Sequence, residues 1–108
     1  MEDKWTGDEL LTLLEALSNP YRLRIVAILQ QGDQYVSQLS RELGISRPLL
    51  YLHLHKLEEA HLVDGRLELS SDGKAMKYYK LRPFDVPLNA QFVAATVDSL
   101  TVQSKTKS

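Results

Sequence analysis

The chain has 108 residues, of which 44% are hydrophobic and 25% charged, and its net charge at pH 7 is −1. This composition excludes a wholly disordered chain, and no apolar run approaches the roughly 18 to 20 residues that cross a bilayer. Cysteine is absent, which excludes disulfides, thiolate nucleophiles and sulfur-ligated metal sites, and the acidic start Met1-Glu2-Asp3-Lys4 is unlike a secretory signal, so we expect a cytoplasmic protein.

Two helices are predicted in the first third of the chain. Thr6-Gly7-Asp8-Glu9 has the spacing of a capping box, in which the Thr hydroxyl and the Glu carboxylate bind free amides at a helix start. Leucines follow at helical spacing as far as Leu17. Asn19-Pro20 ends this helix and begins a second one, because Asn is a good N-cap and Pro is tolerated at the first helical position. Gly32 ends the second helix.

Two further helices joined by a glycine turn are predicted next. The segment 36–45 has the pattern of a short helix that is capped by Ser37 and ended by Gly44. Ser46 is the predicted cap of a longer helix, and apolar residues at helical spacing, Leu50, Leu54 and Leu57, carry that helix to about His61.

The pattern changes after the fourth helix. Residues 62–69 and 75–81 are short β-compatible runs separated by the turn-forming residues 70–74, which predicts a hairpin. Asn89 is the predicted cap of a last helix that extends to about Val102. We therefore expect one mainly α domain with a small β-hairpin over residues 1–103, followed by a flexible tail over 104–108.

This order of elements is that of the winged helix-turn-helix, whose longer helix enters the major groove of DNA while the hairpin loop touches the flanking backbone. Three segments resemble ArsR-type bacterial and archaeal regulators: 14–26 (LEALSNPYRLRIV), 36–46 (VSQLSRELGIS) and 54–63 (LHKLEEAHLV). The resemblance implies a DNA-binding transcriptional regulator, for which repression is the simplest mechanism. It also implies a homodimer held by the first and last helices, and the residues that we assign to this interface are Leu10, Leu11, Leu14, Phe92, Thr96 and Leu100.

A helical wheel separates the two sides of the longer helix. At about 100° per residue, Leu54, Leu57 and His61 fall within about 40° of Leu50 and form the core face, with His53 at its edge. The candidates to contact DNA are the cap, the first turn and the side chains that point away: Ser46, Arg47, Pro48, Leu49, Tyr51, Leu52, His55 and Lys56. Charge supports this placement, because residues 1–17 carry one base and five acids whereas residues 46–82 carry seven bases and five acids.

Each candidate has an expected role. Arg47 is suited to a phosphate or a guanine edge, Tyr51 and His55 to hydrogen bonds, and Lys56 to a phosphate. Lys74 and Lys77 in the hairpin are either phosphate contacts of a wing or part of a solvated face.

Leu49, Tyr51 and Leu52 stand where the resembled family has polar residues, so the reading face is unusually apolar. An apolar side chain here is suited either to a thymine methyl group or to a protein contact. A winged-helix module that binds a protein partner is therefore the second hypothesis. The two differ in salt dependence, because phosphate contacts weaken steeply as salt rises.

Metal and enzyme chemistry are disfavoured by the motifs present. His53 and His55 are two residues apart and project to different sides of a helix, and the last helix offers Asp98 but no His. We find no phosphate loop, nucleophile elbow or paired-His metal motif. No cofactor is expected, and the sequence names no small-molecule effector.

Overall fold

The computed structural model describes residues 5–101. Within them five helices surround a small antiparallel sheet, as predicted for a winged helix-turn-helix. The elements in chain order are α1 (Gly7–Leu17), α2 (Pro20–Gln31), β1 (Gln34–Tyr35), α3 (Val36–Leu43), α4 (Arg47–Glu59), β2 (Val63–Leu69), β3 (Ala75–Leu81) and α5 (Ala90–Val97).

Four of the predicted helix starts are confirmed by their hydrogen bonds, including that of α5, where the Asn89 side chain accepts from the Phe92 amide at 2.8 Å. The amide of Glu9 donates to the Thr6 hydroxyl and the amide of Thr6 donates to the Glu9 carboxylate, each at 3.0 Å, which completes the capping box of α1. The Asn19 side chain accepts from the Tyr21 amide at 2.9 Å. The Ser46 hydroxyl accepts from the amide of Leu49 at 3.3 Å. Polar side chains thus fix where α1, α2, α4 and α5 begin.

The core lies between the helices and one face of the sheet. Leu50, Leu54 and Leu57 of α4 are fully buried, as the helical wheel predicted. They join one apolar cluster with residues from the other helices and the sheet, including Leu13, Ile25, Leu39, Val63 and Tyr79. The buried side of α4 is therefore fixed by apolar packing, which leaves its opposite side to solvent.

The sheet has three strands in the order β1-β3-β2, one more than the predicted hairpin. The two-residue strand β1 pairs with β3, so that Gln34 lies opposite Tyr79. Gly65 of β2 also lies opposite Tyr79. A methyl group at Gly65 would stand 2.5 Å from the Tyr79 ring, which is itself buried. The aromatic ring thus occupies the space that a side chain at position 65 would need.

Three predicted boundaries were wrong. The helix α3 begins at Val36 with Tyr35 as its N-cap residue, so Ser37 lies inside the helix and does not cap it. The helix α4 ends at Glu59, and His61 is exposed with a left-handed backbone (φ 60°) that turns the chain into β2. The helix α5 ends at Val97 and residues 98–101 are not helical, so the predicted helix was too long, while Val102 and the tail 104–108 lie outside the described residues.

The two terminal helices pack with their backbones in close approach. A methyl group at Gly7 of α1 would stand 2.6 Å from the Thr96 carbonyl oxygen of α5. The Asp8 carboxylate accepts hydrogen bonds from the amide and the hydroxyl of Thr101, at 2.8 Å and 2.5 Å. Glycine at position 7 permits this approach, and Asp8 holds the segment after α5 against the start of α1.

The contact of Gly65 with Tyr79 yields a stability prediction. Replacing Gly65 by alanine should lower the free energy of unfolding by about 1–3 kcal/mol, because the buried ring has no room to move away. Urea denaturation followed by circular dichroism measures the change. Leu67→Ala is the matched control, since Leu67 lies on the same strand but is exposed, and its effect should stay within about 0.5 kcal/mol. Equal stabilities of the Gly65 variant and the wild type would contradict the packing described.

Candidate nucleic-acid interface

The outward side of α4 is an exposed surface that combines apolar and cationic side chains. Leu52 lies at its centre with 66% of its surface exposed, and Leu49 and Tyr51 are exposed to a smaller extent. The remaining candidates of this helix, Arg47, Pro48, His55 and Lys56, are also exposed, as is the capping residue Ser46. All eight helix candidates are therefore accessible to a ligand, and we call the set of them the reading face.

The charge of the reading face is positive over most of its length. The segment 43–57 contains Arg47 and Lys56 and no acidic residue. Acid appears only at the end of the helix, where the Glu59 carboxylate pairs with the His55 imidazole at 3.2 Å. Both partners of that pair are more than half exposed, so the contact is weak in water. The first three turns of α4 thus offer positive charge and apolar surface to a ligand.

The loop between β2 and β3 is held by its own side chains and presents Lys74 to solvent. The Lys74 amide donates to the Ser70 hydroxyl at 3.2 Å and to the Asp72 carboxylate at 3.3 Å. A hydrogen bond from the Ser70 hydroxyl, and then the one from the Lys74 amide, lowers the pKa of Asp72. The loop therefore has a defined shape, with an anion next to the cation that we assigned to DNA.

Lys77 lies further down the wing than Lys74 and is half-buried. Its ammonium group stands 5.7 Å from the centre of the Tyr79 ring, within the range of a cation–π contact. The two candidate lysines of the hairpin are therefore not equivalent. Lys74 is exposed in the loop, whereas Lys77 is half-buried with its ammonium group near the Tyr79 ring.

A half-buried arginine outside the reading face determines how α4 is held. The Arg22 guanidinium donates to the Ala16 carbonyl oxygen at 2.6 Å and to Nδ1 of His53 at 3.0 Å. Because a guanidinium can only donate, Nδ1 must accept, and His53 is neutral with its proton on Nε2. The Tyr21 ring lies against the imidazole with the ring centres 5.5 Å apart. Arg22 thus joins the end of α1 and the start of α2 to the middle of α4.

The partners of Arg22 were not predicted from the sequence. Its guanidinium also donates to the backbone carbonyl oxygen of Glu15, at 3.5 Å. The contact with His53 spans 31 positions of the chain. The available signal was His53 itself, a polar residue at the edge of the predicted core face that needed a buried partner.

Two of the six residues assigned to the dimer interface require correction. Leu10 and Thr96 are only 4% and 3% exposed within a single chain, so they pack internally and have no surface to offer a second copy. Leu11 and Phe92 are half-buried, and Phe92 contacts the Trp5 ring edge to face with the centres 6.1 Å apart. Leu14 and Leu100 remain exposed. The packing of α1 against α5 explains the difference, since it uses the inner side of both helices.

Residues 5–101 contain no cluster of three or more His, Asp or Glu side chains that could hold a metal ion. None of their helices has both the length and the apolar character that crossing a membrane requires.

Comparisons with known proteins agree with this geometry. Residues 19–64, from the start of α2 to the start of β2, match the family model "Bacterial regulatory protein, arsR family". An HTH-type transcriptional regulator of Methanocaldococcus jannaschii is 39% identical over 79 residues, which cover 73% of this chain and 82% of that protein. The chain belongs to the ArsR family. It is therefore a DNA-binding transcriptional regulator with a winged helix-turn-helix fold.

Solved ArsR-type structures share the fold over most of this chain. HlyU from Vibrio cholerae is 26% identical, with a TM-score of 0.61 over 84% of this chain and 87% of that one. The transcriptional repressor BigR from Xylella fastidiosa is also 26% identical, with a TM-score of 0.56 over 85% of this chain and 83% of that one. The family match contains α4 entire, so the reading face lies within the segment that the family shares.

The buried imidazole of His53 predicts a pH dependence of stability. Burial, and then the neighbouring Arg22 charge, lowers the pKa of His53. Below about pH 6.5 the imidazole at this position is protonated more readily in the unfolded chain than in the folded chain. The free energy of unfolding therefore decreases as the pH decreases. The variant His53→Gln keeps a hydrogen-bond acceptor for Arg22 but does not titrate, so the wild type should lose stability relative to this variant as the pH falls.

Urea denaturation of both proteins between about pH 8 and pH 5 measures this difference. Above about pH 7 the two stability curves should run parallel, which serves as the internal control because His53 is then neutral in both states. Curves that stay parallel down to pH 5 would contradict the assignment of His53 as a neutral acceptor.

Proposed function

We propose that the chain is a sequence-specific repressor that binds double-stranded DNA as a homodimer, with the reading face of α4 in the major groove. The observation that supports this proposal best is the reading face itself, an exposed surface with no acidic residue between positions 43 and 57, on the helix that winged helix-turn-helix proteins insert into DNA. Repression is supported by the name of the similar BigR protein, a transcriptional repressor. Occupying a promoter and blocking polymerase is the simplest mechanism.

The side chains divide into phosphate contacts and base contacts. Arg47 lies in the first turn of α4 and is suited to a phosphate or a guanine edge, while Lys56 is suited to a phosphate. Tyr51 and His55 offer hydrogen-bonding groups next to Leu52. In the wing, Lys74 is the lysine more accessible to a phosphate, and Lys77 can extend from its place over Tyr79.

We also propose that a second copy covers the exposed apolar side of α1 and α5. Leu14 of α1, Val93 and Val97 of α5, and Leu100 just after α5 are each at least 38% exposed, and α1 and α5 pack against each other. A chain of 108 residues has a small core, so burying such a surface adds appreciably to its stability. A two-fold dimer would also place two α4 helices for a pseudo-palindromic site.

The remaining assignments follow from a regulatory role. We propose no catalytic activity and no bound cofactor, and a location where chromosomal DNA is found, the cytoplasm in bacteria and archaea. A protein-binding winged helix is the second candidate function, and the exposed Leu52 side chain is the observation that favours it. Neither candidate identifies a small-molecule effector.

DNA binding predicts a salt-dependent mobility shift with the promoter fragment that adjoins the gene. Binding should weaken as salt rises, because each phosphate contact releases a counterion and contributes about 0.9 to the slope of log K against log salt. Arg47→Ala and Lys74→Ala should each weaken binding and reduce that slope by about 1. Titrating the duplex at several salt concentrations gives both quantities.

Arg82→Ala is the control for these variants. Arg82 follows β3 at the base of the hairpin and pairs with Asp64 at 3.5 Å, so removing its charge should leave the slope unchanged. If the folded protein shifts neither promoter-derived nor random duplexes at any salt concentration, the proposed DNA-binding function is wrong. Binding of a protein partner is then the favoured function.

The homodimer predicts that a charge on α5 separates the copies. Val97 is 50% exposed, so Val97→Glu should leave the fold intact while it opposes burial of this side chain between two chains. Sedimentation velocity should find a dimer for the wild type and a monomer for the variant. Leu67→Glu in the wing is the control and should remain dimeric. A wild type that sediments as a monomer at all concentrations would refute the proposal.

A further inference from the structure

The most exposed large apolar residue of the helices is Leu52, at the centre of the reading face. It is 66% exposed, and Leu49 one turn earlier is 39% exposed. Exposure of this degree leaves most of the side chain unpaired with other apolar groups of the chain. The family role of α4 accounts for its cations and hydrogen-bonding groups but not for a leucine at this position.

The position of Leu52 fixes how it would meet a groove. At about 100° per residue it points about 200° from the buried Leu50, almost directly away from the core. Pro48, His55 and Lys56 surround it at helical spacings of three and four residues. When α4 lies in a major groove, Leu52 is therefore the side chain that points at the groove floor, with Leu49 beside it.

The chemistry of the groove floor determines what leucine can recognise. In the major groove guanine, cytosine and adenine present only hydrogen-bonding groups, whereas thymine adds a 5-methyl group. A leucine side chain has no hydrogen-bond donor or acceptor. Placed on a guanine or cytosine edge, it displaces water from the polar groups of the base and leaves those groups without hydrogen bonds. Against a thymine methyl group the same leucine buries apolar surface on both sides.

The surroundings of Leu52 favour DNA over an apolar protein surface as the occupant. Arg47 precedes the leucine pair and Lys56 lies one turn beyond it, with no acidic residue between positions 43 and 57. Two cations placed on either side of an apolar centre match the major groove, where two phosphate backbones border the base edges. They match a neutral apolar protein surface less well, because burial there would desolvate both charges.

We propose that Leu52, supported by Leu49, is a specificity residue that reads thymine through its 5-methyl group, so that each half-site of the operator carries thymine at a fixed position. This inference rests on the proposed DNA-binding function and adds the base that α4 selects. In this proposal thymine is selected by van der Waals contact with leucine, and the polar side chains of the reading face bind the DNA backbone and fix the position of α4 along it.

The test begins with selection of binding sites from random duplexes by the full-length wild-type protein. The selected sites should share thymine at one position in each half-site. Each such thymine is then replaced by deoxyuridine, which keeps the base pair and lacks only the methyl group. The wild type should lose about fourfold in affinity at each methyl that Leu52 or Leu49 contacts, the amount expected for one buried methyl-sized group.

The variant Leu52→Ala tests whether Leu52 causes the preference for thymine over uracil. It should bind the thymine duplex more weakly than the wild type and should no longer distinguish thymine from uracil at one position per half-site. Because Leu52 is exposed, this variant should fold as the wild type does, which circular dichroism checks. Leu67→Ala is the matched control, since Leu67 is 65% exposed but lies on the wing, and it should keep the fourfold preference for thymine.

Three outcomes overturn the inference while the proposed function stands: selected half-sites without thymine, equal wild-type affinity for the thymine and uracil duplexes, or an unchanged preference in Leu52→Ala. Equal affinity for the thymine and uracil duplexes would favour a protein partner as the ligand of Leu52 and Leu49. Failure of the folded protein to select any duplex at low salt overturns both the inference and the proposed function.

Discussion

The geometry of the reading face depends on one guanidinium group. Arg22 lies where three helices meet, and it donates both to the last turn of α1 and to the imidazole of His53 in α4. Helix ends leave their last carbonyl groups without partners and carry a partial negative charge, so a permanent cation suits this position. A lysine would supply the charge but not the planar, forked set of donors that reaches two acceptors at once.

The contacts of Arg22 and the apolar core fix α4 from two directions. Leu50, Leu54 and Leu57 set which side of the helix faces inward, and the hydrogen bond to His53 prevents rotation about the helix axis. A binding surface is effective when its side chains are held by rigid elements behind them. The reading face meets this condition although it contains few polar contacts of its own.

Local signals in the sequence predicted most of the fold. Thr6, Asn19 and Ser46 are capping residues whose partners lie two or three positions away, so the sequence alone shows the helix starts. The predictions failed where the deciding contact was distant in sequence. The strand β1 is only two residues long and exists because β3 lies beside it. The burial of Leu10 and Thr96 likewise depends on packing between helices, which a helical pattern does not specify.

The candidate site was predictable to a different extent in its two parts. The helical wheel identified the outward side of α4, because three leucines at regular spacing determine the inward side. The wing was less predictable, since the place of Lys77 over the Tyr79 ring depends on the register between strands. The link from Arg22 to His53 was not predicted, because neither residue belongs to a local motif.

The close approach of Gly7 to α5 has a consequence for how the domain can move. Backbones in direct contact leave no layer of side chains that can slide, and shear motions between helices depend on such a layer. The Asp8 carboxylate adds two hydrogen bonds across the same junction. The terminal helices therefore shift together as one rigid unit, and any rearrangement that repositions α4 relative to them must take place at the connections to α2 or in the segment 82–89.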